Sequence, residues 1–305
     1  MSDSVALVIG YGSIGQRHAR LLKAMGWVVV IVTQQEVEEF LTFKNTATAI
    51  NAVKPTYVVL SNNTSRHVAI IDELISVNYR GNLLVEKPIA IEGQRIPDLK
   101  LFQRVGVGYN LRFTSVVREA KKFIKSNRVL TADVYCGSYL PDWRHNVDYR
   151  SSSSATIEDG GVVRDLSHEL DLALWLFGDW NSVCAVTGKK SSLEIESNDF
   201  CSALMQSKSG IPISIHLSYF EVSPIRKIRL VSNDDVFECD LIANTISTHD
   251  KTYSFDEQRD SSYIQLHQAM ADNNADEICT VEESISVLSL ISAIEESSTL
   301  QSWIH

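Results

Sequence analysis

The stretch "VALVIGYGSIGQRHARLLKAMG", residues 5–26, restricts what this chain can fold into more than any other. Val5 to Ile9 are apolar in succession, as in a strand covered on both faces, and Ala19, Leu22 and Met25 mark one face of a helix. Gly10, Gly12 and Gly15 stand between them. The first permits a tight turn, the second lets backbone approach a pyrophosphate, and the third lets the helix pack closely on the strand. Ser13 and Ile14 open that helix, where unpaired N–H groups and the positive dipole end favour phosphate.

The pattern then repeats: "WVVVIV" (27–32), "TYVVL" (56–60), "NLLVE" (82–86) and "VGVGYN" (105–110) are further apolar runs. They predict a doubly wound parallel sheet, a Rossmann domain over residues 1–114 that binds a dinucleotide. Beyond about residue 125 the order changes. A helix candidate at 161–177 precedes "SVCAVTGK" (182–189), "DFCSALMQSK" (199–208), "IPISIHLSYF" (211–220), "KIRLVS" (227–232) and "VFECDLI" (236–242). Strands at such short spacing predict a predominantly antiparallel open sheet in a second, α+β domain over 115–305. Its closing helix, about 281–298, has a capping box at Thr280 and Glu283, with Ile285, Leu288, Ile291 and Ile294 along one face.

Charge and composition remove other classes. A net charge of −10 argues against a protein that grips phosphate backbones without regard to sequence. Five scattered cysteines without C-x-x-C pairs predict reduced thiols in a cytoplasmic protein and no metal site. No apolar run reaches membrane length, and the N-terminus lacks the basic start of a secretion signal. After the second strand stand Thr33, Gln34 and Gln35, where an acid would bind the adenosine ribose and favour NAD. With no carboxylate there to repel a 2′-phosphate and no Arg to bind one, the reading is NAD(P) with a lean to NADP.

Glu86-Lys87-Pro88 in "LLVEKPIA", "SNNTSRH" (61–67), Tyr109 to Phe113 and the helix "GGVVRDLSHELD" (160–171) give the chain a more particular likeness. With the glycine loop, the combination resembles the Gfo/Idh/MocA family, named for glucose-fructose oxidoreductase and inositol dehydrogenase, over nearly the whole chain. The resemblance implies an NAD(P)-dependent oxidoreductase whose open sheet serves in oligomer contacts, here a homodimer or homotetramer. It matches the family's lysine to Lys87 and its helix histidine to His168. Asp165 matches less closely, lying three residues before His168 where many members have four. The segment "GSYLPDWRHNVDYR" (137–150) resembles a subgroup found among enzymes of bacterial surface-sugar metabolism, including nonulosonic sugars.

The chemistry of these residue types agrees with that frame. Oxidising a secondary alcohol requires removal of a hydroxyl proton, and a lysine held partly out of water is a usable acid/base for it. Lys87 takes that task, and His168 shares the proton or holds the hydroxyl. Asp165 orients the imidazole or the sugar, while Asp171 in mid-helix reads as structural. Ser61, Asn62, Thr64, His67 and Glu86 lie beyond strand carboxyl ends, where the nicotinamide half belongs. Asn110, Arg112, Tyr139, Trp143, Arg144 and Tyr149 are the substrate candidates, offering aromatic faces to sugar C–H surfaces and guanidinium forks to anions. Two other readings stand beside the sugar dehydrogenase: a redox-neutral lyase or glycosidase that reduces and reoxidises held NAD, and a cofactor-sensing protein without catalysis.

Overall fold

In the first unit, short apolar runs pair edge to edge and bury both faces. This unit comprises residues 1–113 and 259–284, and the second comprises 114–258 and 285–305. The computed structural model describes residues 4–144, 147–158, 160–272 and 276–305. The first unit contains β1 (Val5–Ile9), α1 (Ser13–Ala24), β2 (Val28–Val32), β3 (Leu41–Phe43), α2 (Thr46–Val53), β4 (Tyr57–Leu60), α3 (His67–Ser76), β5 (Asn82–Val85) and β6 (Arg104–Val107). The strands form one parallel sheet in the order β3-β2-β1-β4-β5-β6. That is the doubly wound order predicted for a Rossmann sheet, with its reversal between β1 and β4.

The second unit contains α4 (Ser115–Ser126), β7 (Val129–Tyr139), α5 (Val162–Asp165), α6 (Ser167–Phe177), β8 (Trp180–Gly188), β9 (Phe200–Ser207), β10 (Pro212–Ser218), β11 (Phe220–Ser232), β12 (Val236–Asp240), β13 (Thr245–Ser247) and β14 (Thr252–Ser254). Their order is β14-β13-β12-β11-β7-β10-β9-β8, antiparallel except where β7 runs parallel to β10. Along β9 burial alternates strictly, with Cys201, Ala203 and Met205 inward and Ser202, Leu204 and Gln206 outward. Such alternation belongs to a sheet covered on one face only. Helices α5 and α6 pack on that covered face.

Two elements follow, α7 (Ser261–Asp272) and α8 (Val281–Leu300). The sequence reading placed all of 115–305 in one domain, but 259–284 returns to the first unit. Leu266 and Met270 of α7, with Ile278, join the core formed by Ala6, Val8, Ala19, Ile31, Val59 and Leu84. Burying each such side chain is worth about 1.5–3 kcal/mol. Val107 N–H also donates to the Cys279 carbonyl at 2.9 Å, covering the free edge of β6. The capping box forms as expected: Thr280 N–H donates to Glu283 at 2.9 Å and Glu283 N–H to Thr280 Oγ1 at 3.2 Å. The buried stripe of α8 is Val287, Leu290, Ile291 and Ile294, whereas Ile285 is exposed.

The helix read at 161–177 is two helices. Leu166 has φ −93° and ψ 29°, which ends α5 before α6 begins. Leu166, Leu170, Leu174 and Phe177 are nonetheless all buried, as the apolar pattern requires.

Candidate functional site

The carboxyl ends of β1 and β4 lie side by side at the reversal of strand order. Ser61 N–H donates to the Ile9 carbonyl at 2.8 Å, and Ser61 Oγ to the Gly10 carbonyl at 3.1 Å. Gly10 has φ +100°, and a Cβ there would lie 2.6 Å from Asn62 N. A Cβ at Gly15 would lie 2.1 Å from the Gly10 carbonyl oxygen, but one at Gly12 would meet nothing within 4 Å. The first and third glycines are therefore closed by the chain's own backbone, and the second faces open space. Asn62 Oδ1 is buried and has no hydrogen-bond partner among the described residues. An open glycine at a helix N-terminus, with an unsatisfied amide oxygen on the turn after the neighbouring strand, fits a dinucleotide. Ser13 is exposed there, with Ile14 and Thr64 half-buried. Gly15→Ala is expected to cost about 1–3 kcal/mol of stability, as overpacking against backbone does, read as a lowered denaturation midpoint.

At the end of β2, Thr33 is buried, its N–H on the Phe43 carbonyl at 3.0 Å and its Oγ1 accepting from Gln35 N–H at 3.1 Å. Local sequence offered no cation at this turn, yet the fold brings one. Lys44, directly after β3, places Nζ 3.0 Å from the Gln34 carbonyl, 3.3 Å from that of Gln35 and 3.1 Å from Glu36 Oε1. It escaped notice because β3 has three residues and no periodicity to reveal it.

Glu86 and Lys87 follow β5, and the Lys87–Pro88 peptide is cis. Lys87 is half-buried. His67 stands behind this turn, fully buried, with Nδ1 3.1 Å from the Pro88 carbonyl and 3.3 Å from that of Ile89, and Nε2 3.1 Å from that of Asn62. Burial lowers its pKa, with the carbonyls of Asn62 and Ile89 opposing. Both ring nitrogens face the chain itself, so His67 ties the Asn62 turn to the Lys87 turn instead of offering a nitrogen to a ligand.

Asn110 and Arg112 occupy a 3-10 turn at 110–113 and are buried. Asn110 Nδ2 donates to Ser262 Oγ at 2.8 Å, while its Oδ1 lacks a partner among the described residues. Arg112 is 1% exposed and pairs with Glu283 at 2.8 Å. That geometry suits a structural tie between the turn and the α8 capping box better than the substrate contact expected of it.

In the second unit Asp165 closes α5 and His168 begins the first turn of α6, both half-buried. The break at Leu166 means the two do not share one continuous helical face. Tyr219 Oη donates to Asp165 Oδ2 at 2.6 Å. Burial, with the Asp165 carboxylate adding to it, pushes the Tyr219 phenol well above its ordinary range. Trp143 stands edge-on to the Tyr219 ring at 5.3 Å and donates from Nε1 to Ser138 Oγ at 2.8 Å. Tyr139 ends β7 half-buried, Arg144 is exposed, and Tyr149 Oη accepts from Glu194 N–H at 3.2 Å. Trp143, Arg144 and Tyr149 line one small pocket with Leu140 and Pro141, while residues 145 and 146 of that loop lie outside the described residues. Asp171 is buried. A polar cavity of about 510 Å³ lies beside Gly160, Gly161 and Arg164, bounded also by Glu196, Glu295 and Ser298. Asp165 and His168 do not line it.

Among the described residues no three His, Cys, Asp or Glu side chains could hold a metal ion, and no helix is long and apolar enough to cross a membrane. All five cysteines are free thiols, four of them buried.

A glycine-loop Rossmann unit joined in one chain to an α+β unit with an open, mainly antiparallel sheet defines a two-part dinucleotide-fold class. Residues 117–231 match the family model described as the GFO/IDH/MocA C-terminal domain. The solved structures similar to it include levoglucosan dehydrogenase in complex with NADH, at 16% identity and a TM-score of 0.84, covering 99% of each chain. Myo-inositol 2-dehydrogenase from Lactobacillus plantarum is similar at 15% identity and a TM-score of 0.79, again over 99% of each chain. The WlbA dehydrogenase from Bordetella pertussis, in complex with NADH and UDP-GlcNAcA, is similar at 19% identity and a TM-score of 0.80, covering 99% of this chain and 98% of that one. No curated protein matches the chain.

Proposed function

We propose that this chain is a nicotinamide-dinucleotide-dependent oxidoreductase acting on a secondary alcohol or ketone of a sugar or sugar derivative. The observation that carries the reading is the open Gly12 between two closed glycines, together with the unsatisfied Oδ1 of Asn62, whose backbone packs against Gly10. When bound, the cofactor supplies the hydride acceptor or donor. The chain's own residues do the rest. Gly10 to Gly15, Ser61 and Asn62 hold the dinucleotide, and Lys87 Nζ moves the hydroxyl proton. His168 holds the hydroxyl or shares that proton, and Asp165, fixed through Tyr219, orients it. Trp143, Arg144 and Tyr149 contact the sugar or its anionic substituent.

A nucleotide-linked or nonulosonic sugar is the proposed substrate class, supported by the likeness to WlbA, whose structure holds UDP-GlcNAcA. The experiment is a screen of sugars, nucleotide sugars and nonulosonic acids with either cofactor, read by mass spectrometry and by absorbance at 340 nm. Product formed in step with the absorbance change supports the dehydrogenase. Product without net change points to the redox-neutral lyase, and no turnover to a sensing protein.

For the cofactor, Lys44 at the Thr33–Gln35 turn supports NADP, whereas two of the similar structures, those of levoglucosan dehydrogenase and WlbA, hold NADH. Lys44→Glu is expected to weaken NADPH about tenfold and to leave NADH within about threefold, measured as dissociation constants. A wild-type preference for NADH of tenfold or more would overturn the lean. A homodimer or homotetramer is proposed, because exposed Val186 and Leu204 lie on the open face of the second sheet. Light scattering on the purified protein reads the oligomer directly. The free thiols suit the reducing cytoplasm.

A further inference from the structure

A line of buried polar side chains runs through the first unit behind the Lys87 turn. Tyr57 opens β4, His267 lies on α7, His18 sits on α1 three residues after Gly15, and Glu86 follows β5. All four are buried, the two histidines completely. Tyr57 Oη lies 2.9 Å from His267 Nδ1, His267 Nε2 lies 2.9 Å from His18 Nδ1, and His18 Nε2 lies 2.9 Å from Glu86 Oε1.

Proton counting gives this line a direction. Burial, with His18 beside it, pushes His267 well below the ordinary imidazole range, so its ring carries one proton. If Tyr57 O–H donates to His267 Nδ1, that proton sits on Nε2 and is donated to His18 Nδ1. His18 then carries its own proton on Nε2 and donates it to Glu86. Every donor meets an acceptor, and the line ends on a charged carboxylate. In the reverse direction a neutral His18 would turn a bare nitrogen toward that carboxylate, an arrangement that demands a protonated Glu86. Around the line, Glu86 Oε2 accepts from Lys87 N–H at 3.3 Å, and the Arg17 guanidinium lies over the Tyr263 ring, which stands edge-on to His18.

We propose that the Tyr57–His267–His18 line holds Glu86 as a charged carboxylate beyond the end of β5, and that this charge makes the unit bind the oxidised, cationic nicotinamide in preference to the reduced, neutral one. The inference rests on the cofactor reading above. Ligands of such sheets lie beyond the carboxyl ends of the strands, and β5 is the neighbour of β4, whose following loop carries Asn62. The two cofactor forms differ by one positive charge on the nicotinamide ring, and a buried carboxylate discriminates between them where bulk water would not. Tyr57, His18 and His267 act through Glu86 and are positioning residues.

The test uses the whole chain without sugar. Dissociation constants for NAD⁺, NADH, NADP⁺ and NADPH are measured for the wild type, Glu86→Gln and Tyr57→Phe. Glu86→Gln is expected to weaken the oxidised forms relative to the reduced ones by about tenfold. Tyr57→Phe removes the terminal O–H and leaves Glu86 in place, and is expected to move the ratio the same way by about twofold to threefold. Nitrogen-15 spectra should show His18 and His267 both neutral and protonated on Nε2. A ratio unchanged in both variants, or an imidazolium at His18 cancelling the Glu86 charge, overturns the proposal while leaving the cofactor reading standing. Failure of the wild type to bind any of the four nucleotides overturns the cofactor reading and the preference together. If Glu86→Gln does not fold, the Tyr57→Phe ratio and the wild-type spectra decide.

Discussion

Lys87→Ala should lower turnover by at least about 10²-fold while the dinucleotide still binds, the usual loss when a positioned acid/base is removed. The separation of the two effects follows from where Lys87 stands. The glycines and Asn62 that fit the dinucleotide belong to the turns after β1 and β4, whereas Lys87 belongs to the turn after β5. His67 braces that turn from behind through backbone carbonyls of Pro88, Ile89 and Asn62, none of which the substitution alters. Truncation therefore removes the amine without dismantling its support. The measurements are the nucleotide dissociation constant and the rate at saturating sugar. Unchanged turnover on a verified substrate would take Lys87 out of the mechanism. Loss of nucleotide binding with the amine would instead make its task cofactor attachment. Lys87→Arg separates charge from proton transfer, since a guanidinium keeps the charge and scarcely releases a proton.

What the sequence made legible is what local chemistry determines. The glycine turn and the strand preceding it appear where the pattern put them, because tight turns and doubly covered strands are written in adjacent residues. Pairings formed over long separations were less visible. The middle strand β7, "VLTADVYCGSY", went unread because Thr131, Asp133 and Tyr135 interrupt its apolar positions. They do so because they occupy the uncovered face of the sheet, and the parallel partner that would reveal this, β10, begins 212 residues into the chain. Lys44 reaches the Gln34 turn only through the β2–β3 pairing. The segment 259–284 follows the strands of the second sheet in sequence, yet Leu266 and Met270 fill the first unit's core. Arg112 follows a Rossmann strand, where the sequence reads it as a substrate contact. Its partner Glu283 lies 171 residues away, and no local pattern connects them.

Arg226→Met should destabilise the second unit by about 3 kcal/mol, because it strands a buried charge. Glu169 follows His168 on α6, is 1% exposed, and its Oε1 lies 2.7 Å from Arg226 Nε on β11. Arg226 is opposite Cys136 in the β11–β7 register, and burial beside that carboxylate pushes the Cys136 thiol up to about 12. Methionine retains most of the arginine's packing and removes only the guanidinium, so the loss reports the charge. The Arg226 side chain is 28% exposed, so water can partly replace it, which sets the expectation at the lower end of the range for broken buried pairs. In a chain of this size such a loss lowers the melting temperature by roughly 6–12 °C. Glu169→Gln in the same background should recover part of it, since a neutral amide tolerates burial where a lone carboxylate does not. A melting temperature within about 1 °C of wild type would show that the ion pair contributes nothing to stability. Full recovery in the double variant would carry a mechanistic consequence: the pair would then serve to fix α6 in register against β11, with His168 at its start, and the activity of the stable double variant would report that placement directly.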